Sequence, residues 1–158
     1  MAPSIERVCD YPRPPALVAS TQHLLIHAGG TLLAETHRSY RVLETFHPPT
    51  YYLPPEAFAE GRLRPAQGHS FCEWKGVASY YDVVNQHSSI ARAAWTYLQP
   101  TSSFAAIAGW IAVYPALMDG CWIDGEQAQP QFGGFYGGWI SSGVLGPFKG
   151  DPMHPELI

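Results

Sequence analysis

GHSFCEWKGVASYYDVV, residues 68–84, decides the fold class. Two runs rich in β-branched and aromatic residues flank Lys75-Gly76, where the glycine suits the tight turn of a β-hairpin. Alternation along the first run places Cys72 and Trp74 on one face and Phe71 and Glu73 on the other, so Cys72 and Trp74 are predicted to point inward. Tyr80 and Tyr81 are neighbours and therefore face opposite sides. Only one of them shares the Cys72 face, and the sequence leaves open which.

The same pattern of short strands and tight turns extends in both directions. Upstream, HLLIHA and TLLAET flank Gly29-Gly30, which predicts a hairpin with a primed turn. RVLETF and TYYL follow as two strands joined through His47-Pro48-Pro49, and Pro54–Phe58 starts one short helical turn before a loop over 59–68. Downstream of a polar turn at Asn85–Ser89, ARAAWTYL sets Trp95 and Tyr97 on one strand face. IAGWIAVYPALMD is apolar enough for a helix, but its β-branched and aromatic residues, with Gly109 and Pro115 inside, predict a buried strand. Asp119-Gly120 and Asp124-Gly125 bracket a very short strand, Cys121-Trp122-Ile123.

Three segments are expected. Residues 1–22 hold four prolines and no sustained period, which reads as an extended N-terminal arm, either lying on the domain or hanging loose. Residues 23–129 form the β domain. Residues 130–158 are a Gly/aromatic-rich extension packed on it, with Phe132, Phe135, Tyr136, Trp139 and Phe148 as anchors.

Composition narrows both fold and partners. With 158 residues, 46% hydrophobic and 14% charged, the chain is long enough for one core and too apolar for disorder. Its 15 Gly, 15 Pro and 21 aromatics favour a mainly β, compact antiparallel two-sheet domain with less than about a fifth helix. A net charge of −4 and the lack of a basic run argue against nucleic acid. No apolar stretch approaches the roughly 18 residues of a membrane span, and MAPSIERVCDYPRPP lacks the apolar core of a signal peptide, so a soluble cytoplasmic protein is expected. Cys9, Cys72 and Cys121 are too far apart for a zinc knuckle and read as free thiols. His23 and His27, about 13 Å apart along a strand, cannot share one ion. Neither metal nor cofactor is predicted.

The order of motifs resembles one family. L-E-T at 43–45, P-P-x-Y-Y-x-P at 48–54, C-x-W-K-G at 72–76, A-W-x-Y at 94–97 and I-A-G at 107–109 look like domain-of-unknown-function family 427, from about residue 23 to the end. The F-Y-G-G-W…G-P-F-K-G tail is similar to an extension carried by a subset of members. Glu73 departs from the pattern, which usually has proline there. The resemblance implies a β-tent-like fold of two small antiparallel sheets pinched together. A nucleotidyltransferase label has also been attached to the family, but this chain has no Asp-x-Asp pair, no GxxxxGK loop and no GxGxxG.

Candidate binding residues are Glu44, Tyr52, His69, Cys72, Trp74, Lys75, Tyr80, Trp95 and Tyr97. Glu44 lies in an otherwise apolar strand, either solvated or buried with a partner, and the resemblance favours the buried option. Lys75 between Trp74 and Gly76 is either a solvated turn cation or an anion or carbonyl binder at a cleft, and it is expected to meet Glu44 there. Removing one partner of such a buried pair would destabilise by about 3–5 kcal/mol. Cys72, with His69 and Lys75 near in sequence, is an activated thiol or a buried structural one. No catalytic residue is assigned. The expectation is a small polar or anionic ligand in an aromatic-lined pocket; the alternative is a structural or interaction domain whose tail serves a partner or a homodimer.

Overall fold

The computed structural model describes residues 4–157; residues 1–3 and 158, at the two ends of the expected arm and extension, lie outside the described residues. The fold is mainly β, with 45% strand and 10% helix. In chain order the strands are β1 (Glu6–Arg7), β2 (Ala16–Ser20), β3 (Leu24–Ala28), β4 (Thr31–Thr36), β5 (Ser39–Leu43), β6 (Thr50–Tyr52), β7 (Leu63–Cys72) and β8 (Gly76–Val84). They continue with β9 (Ser89–Thr96), β10 (Ile111–Val113), β11 (Gly120–Ile123), β12 (Glu126–Gln127), β13 (Gln129–Pro130), β14 (Trp139–Ile140) and β15 (Val144–Leu145).

Three antiparallel sheets carry the architecture, in the orders β10-β9-β8-β7, β2-β5-β6 and β12-β11-β3-β4. Leu53, just past β6, exchanges both backbone hydrogen bonds with Ile111 of β10, at 2.9 and 2.8 Å. That pair joins the first two sheets edge to edge into a seven-strand surface, and the third sheet packs against one of its faces. Leu24, Ile26 and Leu33 meet Leu53, Val83, Ala94, Ile111 and Val113 in that interface, which forms the main core. Among the described residues no helix is long and apolar enough to cross a membrane.

The expected turns form where their residue chemistry allows. Gly29 and Gly30 join β3 to β4 at φ 62° and 84°, the left-handed values of a primed turn. Asp124 and Gly125, at φ 49° and 85°, join β11 to β12 in the same way. Proline sits at the first position of the helical turn Pro55–Ala57.

Several boundaries differ from expectation. Of the two alternatives for the N-terminal arm, its described part lies on the domain: Ala16–Ser20 pairs along all five residues with β5, Glu6–Arg7 pairs in parallel with β15, and Val8 is fully buried. The prolines at 12, 14 and 15 end just before this run, which leaves ALVAS free to donate to the ladder. The loop expected over 59–68 is strand from Leu63 onward, because β7 is an edge strand that tolerates Pro65 and takes up the irregularity between Pro65 and His69, with Gly68 at φ 93°. The strand expected over IAGWIAVYPALMD contracts to Ile111–Val113. Gly109 turns at φ 76° on one side, and the 3-10 turn Pro115–Leu117 begins on the other.

One cation clips the layers together. Arg62 is buried; its Nε donates to the Val84 carbonyl at 2.6 Å, while its terminal nitrogens donate to Thr31 Oγ1 at 2.9 Å, the Leu32 carbonyl at 2.8 Å and the Ala28 carbonyl at 2.7 Å. The β3–β4 hairpin is thereby tied to the end of β8.

Candidate functional site

Strand alternation sorts the aromatic residues of the seven-strand surface onto two faces. Tyr51, Tyr81 and Ala94 turn toward the main core, while Tyr52, Tyr80 and Trp95, each one residue away, turn to the opposite face with Tyr97. The register reinforces the grouping, since Tyr80 lies directly across from Trp95 and Tyr81 across from Ala94. The open question of the tyrosine pair is thus settled: Tyr80 shares the Cys72 face. This second face lines a cavity of about 470 Å³.

Eight of the nine candidate residues border that cavity: Glu44, Tyr52, Cys72, Trp74, Lys75, Tyr80, Trp95 and Tyr97. His69 does not. Its ring nitrogen faces Ser79 Oγ at 3.4 Å on an exposed part of the β7–β8 ladder. Residues 69 and 72 are an odd number apart, so alternation directs them to opposite faces. This separation is lost at the hairpin end, where Phe71 and Glu73, expected on the other face, also border the cavity. Ser70, in phase with Cys72, reaches the cavity, where its hydroxyl meets that of Tyr80 at 2.6 Å.

The hairpin that carries Lys75 turns through three residues, Glu73–Lys75, rather than through Lys75-Gly76 alone, and Cys72 pairs with Gly76. Gly76 takes φ 107°, with the Gln99 carbonyl and Pro100 beside it. The following loop braces the turn: Thr101 donates its N–H to the Lys75 carbonyl at 3.0 Å and its hydroxyl to the Trp74 carbonyl at 2.7 Å. Lys75 is accordingly held at 9% exposure, its ammonium 5.7 Å from the Tyr97 ring centre and 5.8 Å from that of Phe104.

The expected ion pair between Lys75 and Glu44 does not form. Glu44 lies beyond the end of β5, where Phe46 at φ 65° turns the chain, and its half-buried carboxylate pairs with Arg13 at 3.5 Å. Among the described residues no carboxylate lies within salt-bridge distance of the Lys75 ammonium.

Val42, Thr50, Phe71, Glu73, Ala78 and Tyr114 also border the cavity, and a further part of the wall comes from residues that carry no periodic signal: His47 and, from the tail, Gln131, Phe135, Tyr136, Gly137 and Lys149. Gln131 is the organiser. Its Oε1 accepts the Gly138 N–H at 3.2 Å, so its amide nitrogen faces the Lys149 carbonyl and His47 Nδ1, each at 3.0 Å. His47 Nδ1 must then be an acceptor, which leaves the proton on Nε2, the nitrogen 4.0 Å from Glu44 Oε2. Burial holds His47 below the ordinary histidine range despite the attraction of Glu44. The imidazole is neutral near pH 7.

The phenols are protonated too. Burial pushes Tyr114 up to about 12, with Tyr80 adding to the shift, and burial raises Tyr52 and Tyr97 as well. Trp95 Nε1 donates to the Tyr52 hydroxyl at 3.1 Å, and the Trp95 and Tyr114 rings lie 4.5 Å apart. Glycine is required at 137 by close approach, because a Cβ there would overlap the Trp95 indole. The wall is therefore aromatic and studded with hydroxyls, and its charged residues are Lys75, Lys149, Glu44 and Glu73, of which neither lysine makes a salt bridge among the described residues. Among the described residues no three His, Cys, Asp or Glu side chains gather as a metal site.

A family model described as Domain of unknown function (DUF427) matches residues 16–124, more than half of the chain. The chain belongs to the DUF427 family. No curated protein matches it. The DUF427 match begins at β2, ahead of residue 23 where the resemblance was placed, and ends just past β11. The strand-borne wall of the cavity thus lies in the DUF427 region, and the wall built by Gln131, Phe135, Tyr136, Gly137 and Lys149 lies outside it.

Proposed function

We propose that this DUF427 domain binds a small molecule through an anionic group that pairs with Lys75 in the aromatic cavity. The observation that carries the reading is the Lys75 ammonium, held at 9% exposure in the cavity wall beside aromatic rings, with no carboxylate of the described residues within salt-bridge distance although Glu44 and Glu73 border the same cavity. Cation–π contacts offset only part of what a buried charge loses in desolvation, and an anion would supply the remainder. A volume of about 470 Å³ lies within the range of metabolite-sized pockets. Supporting this reading over a partner-binding tail, Trp139 and Gln131 are buried in the domain, so the extension serves the cavity wall rather than projecting from it.

The test is a titration with acetate followed by amide chemical shifts. Saturable shifts centred on residues 73–76 and 97, with a millimolar dissociation constant, are expected in the parent protein and absent in Lys75→Met. Unsaturable shifts, or shifts that persist in Lys75→Met, would overturn the proposal.

A further inference from the structure

We infer that the ligand of this cavity is a planar aromatic or conjugated anion, whose flat ring lies against Trp95 and Tyr114 and is gripped at the rim by Phe71 and Phe135. The inference rests on Lys75 as the anion site and adds to it the chemical class of the molecule. Its grounds are separate. Phe71 at 76% exposure and Phe135 at 72% are among the most exposed large apolar side chains of the described residues, and both line the cavity. Neither belongs to any of the buried clusters or to the side chains packed on them. The fold does not use these rings.

They come from unrelated elements. Phe71 stands near the end of β7 beside its cross-strand partner Val77, itself 52% exposed. Phe135 stands in the tail, 4.5 Å from Tyr136, whose ring meets His47 edge-on at 5.4 Å. Glycine pairs bracket Phe135-Tyr136: Gly133 and Gly134 at φ 96° and 61° on one side, Gly137 and Gly138 on the other. Gln131 and Trp139 anchor the two ends in the buried interior. The backbone freedom of glycine is thus confined to the short stretch that carries the rim aromatics, where it lets them settle on a ring between them and the floor. Flat π-systems meet such surfaces in offset-stacked or edge-to-face contact, which a puckered aliphatic ring cannot match.

The deciding comparison uses two acids of like size and equal charge, benzoate and cyclohexanecarboxylate, titrated calorimetrically into the whole protein. Simple apolar burial favours the cyclohexane acid, which carries more aliphatic surface, so a reversal reports the ring. Benzoate is expected to bind about 10-fold more tightly. Phe71→Leu and Phe135→Leu, each retaining apolar bulk at an exposed position, are expected to remove most of that preference. Equal affinity for the two acids, or a preference untouched by both leucine variants, would overturn the planar class while leaving the Lys75 reading in place. Benzoate binding that survives Lys75→Met would overturn the anion site and this inference with it. Failure of both acids to bind while acetate binds would overturn the planar class alone.

Discussion

Replacing Lys75 with methionine should leave stability within about 1 kcal/mol of the parent, although the side chain is buried. The ammonium lies 5.7 and 5.8 Å from two ring centres, contacts worth about 0.5–1 kcal/mol each. Against this stands the desolvation of a charge that no carboxylate of the described residues compensates. Methionine keeps the packing of the stem and adds sulfur–aromatic contacts of about 0.3–1.5 kcal/mol. These opposing contributions nearly cancel. In urea, at a slope of about 2 kcal/mol per molar, the midpoint should move by no more than about 0.5 M. A fall of about 1.5 M at unchanged slope would correspond to the roughly 3 kcal/mol lost when one member of a buried ion pair is removed, and would refute the absence of a partner for Lys75.

Arg62→Met should remove the clip between β3–β4 and β8 and lower stability by about 3–5 kcal/mol, because three carbonyls lose a charged donor, and the thermal midpoint should fall by about 10 °C; a fall of only a degree or two in a thermal melt would contradict that role. Gly137→Ala should drive a methyl into the Trp95 indole, destabilise by about 1–3 kcal/mol and shift tryptophan emission, whereas an unchanged spectrum and midpoint would show that the tail lies elsewhere. His47 is depressed in the folded state, so its contribution is full above about pH 6.5 and is lost as pH falls through the folded value; His47→Gln should flatten the decline in thermal midpoint between about pH 7 and pH 5. Tyr52, Tyr97 and Tyr114 are raised, so their contribution is full below about pH 10 and is lost as pH rises through the folded values; loss of stability should therefore begin near pH 10, and a midpoint that holds steady well above it would contradict the buried phenols.

What could be read from the sequence follows the strand period. Once a hairpin was placed on residues 68–84, alternation determined that Cys72 and Trp95 with Tyr97 point away from their immediate neighbours, and the structure brings those residues to one cavity. The same rule separates His69 from Ser70, but it does not hold at the hairpin end, where Phe71 and Glu73 border the cavity together with Cys72 and Trp74. Pairing between distant charges obeys no such period. Arg13 reaches Glu44 because β2 folds back along β5, a placement set by tertiary packing of a segment whose prolines indicate only an extended arm. Gln131 and Lys149 lie in glycine-rich sequence, where direction is set residue by residue through φ and no pattern accumulates. Their approach to His47 depends on the Gly138 N–H and on the seat of Trp139 in the core, both of which are properties of the assembled domain.

The division of the seven-strand surface into a core face and a cavity face bears on how such a domain diversifies. Tyr52 and Tyr51, like Trp95 and Ala94, are consecutive residues whose side chains pack in different clusters, so a substitution on one face changes different neighbours from a substitution on the other. Selection for a new ligand would act on one set of side chains and selection for persistence of the fold on the other, so lineages can exchange chemistries through substitutions that leave the main core silent.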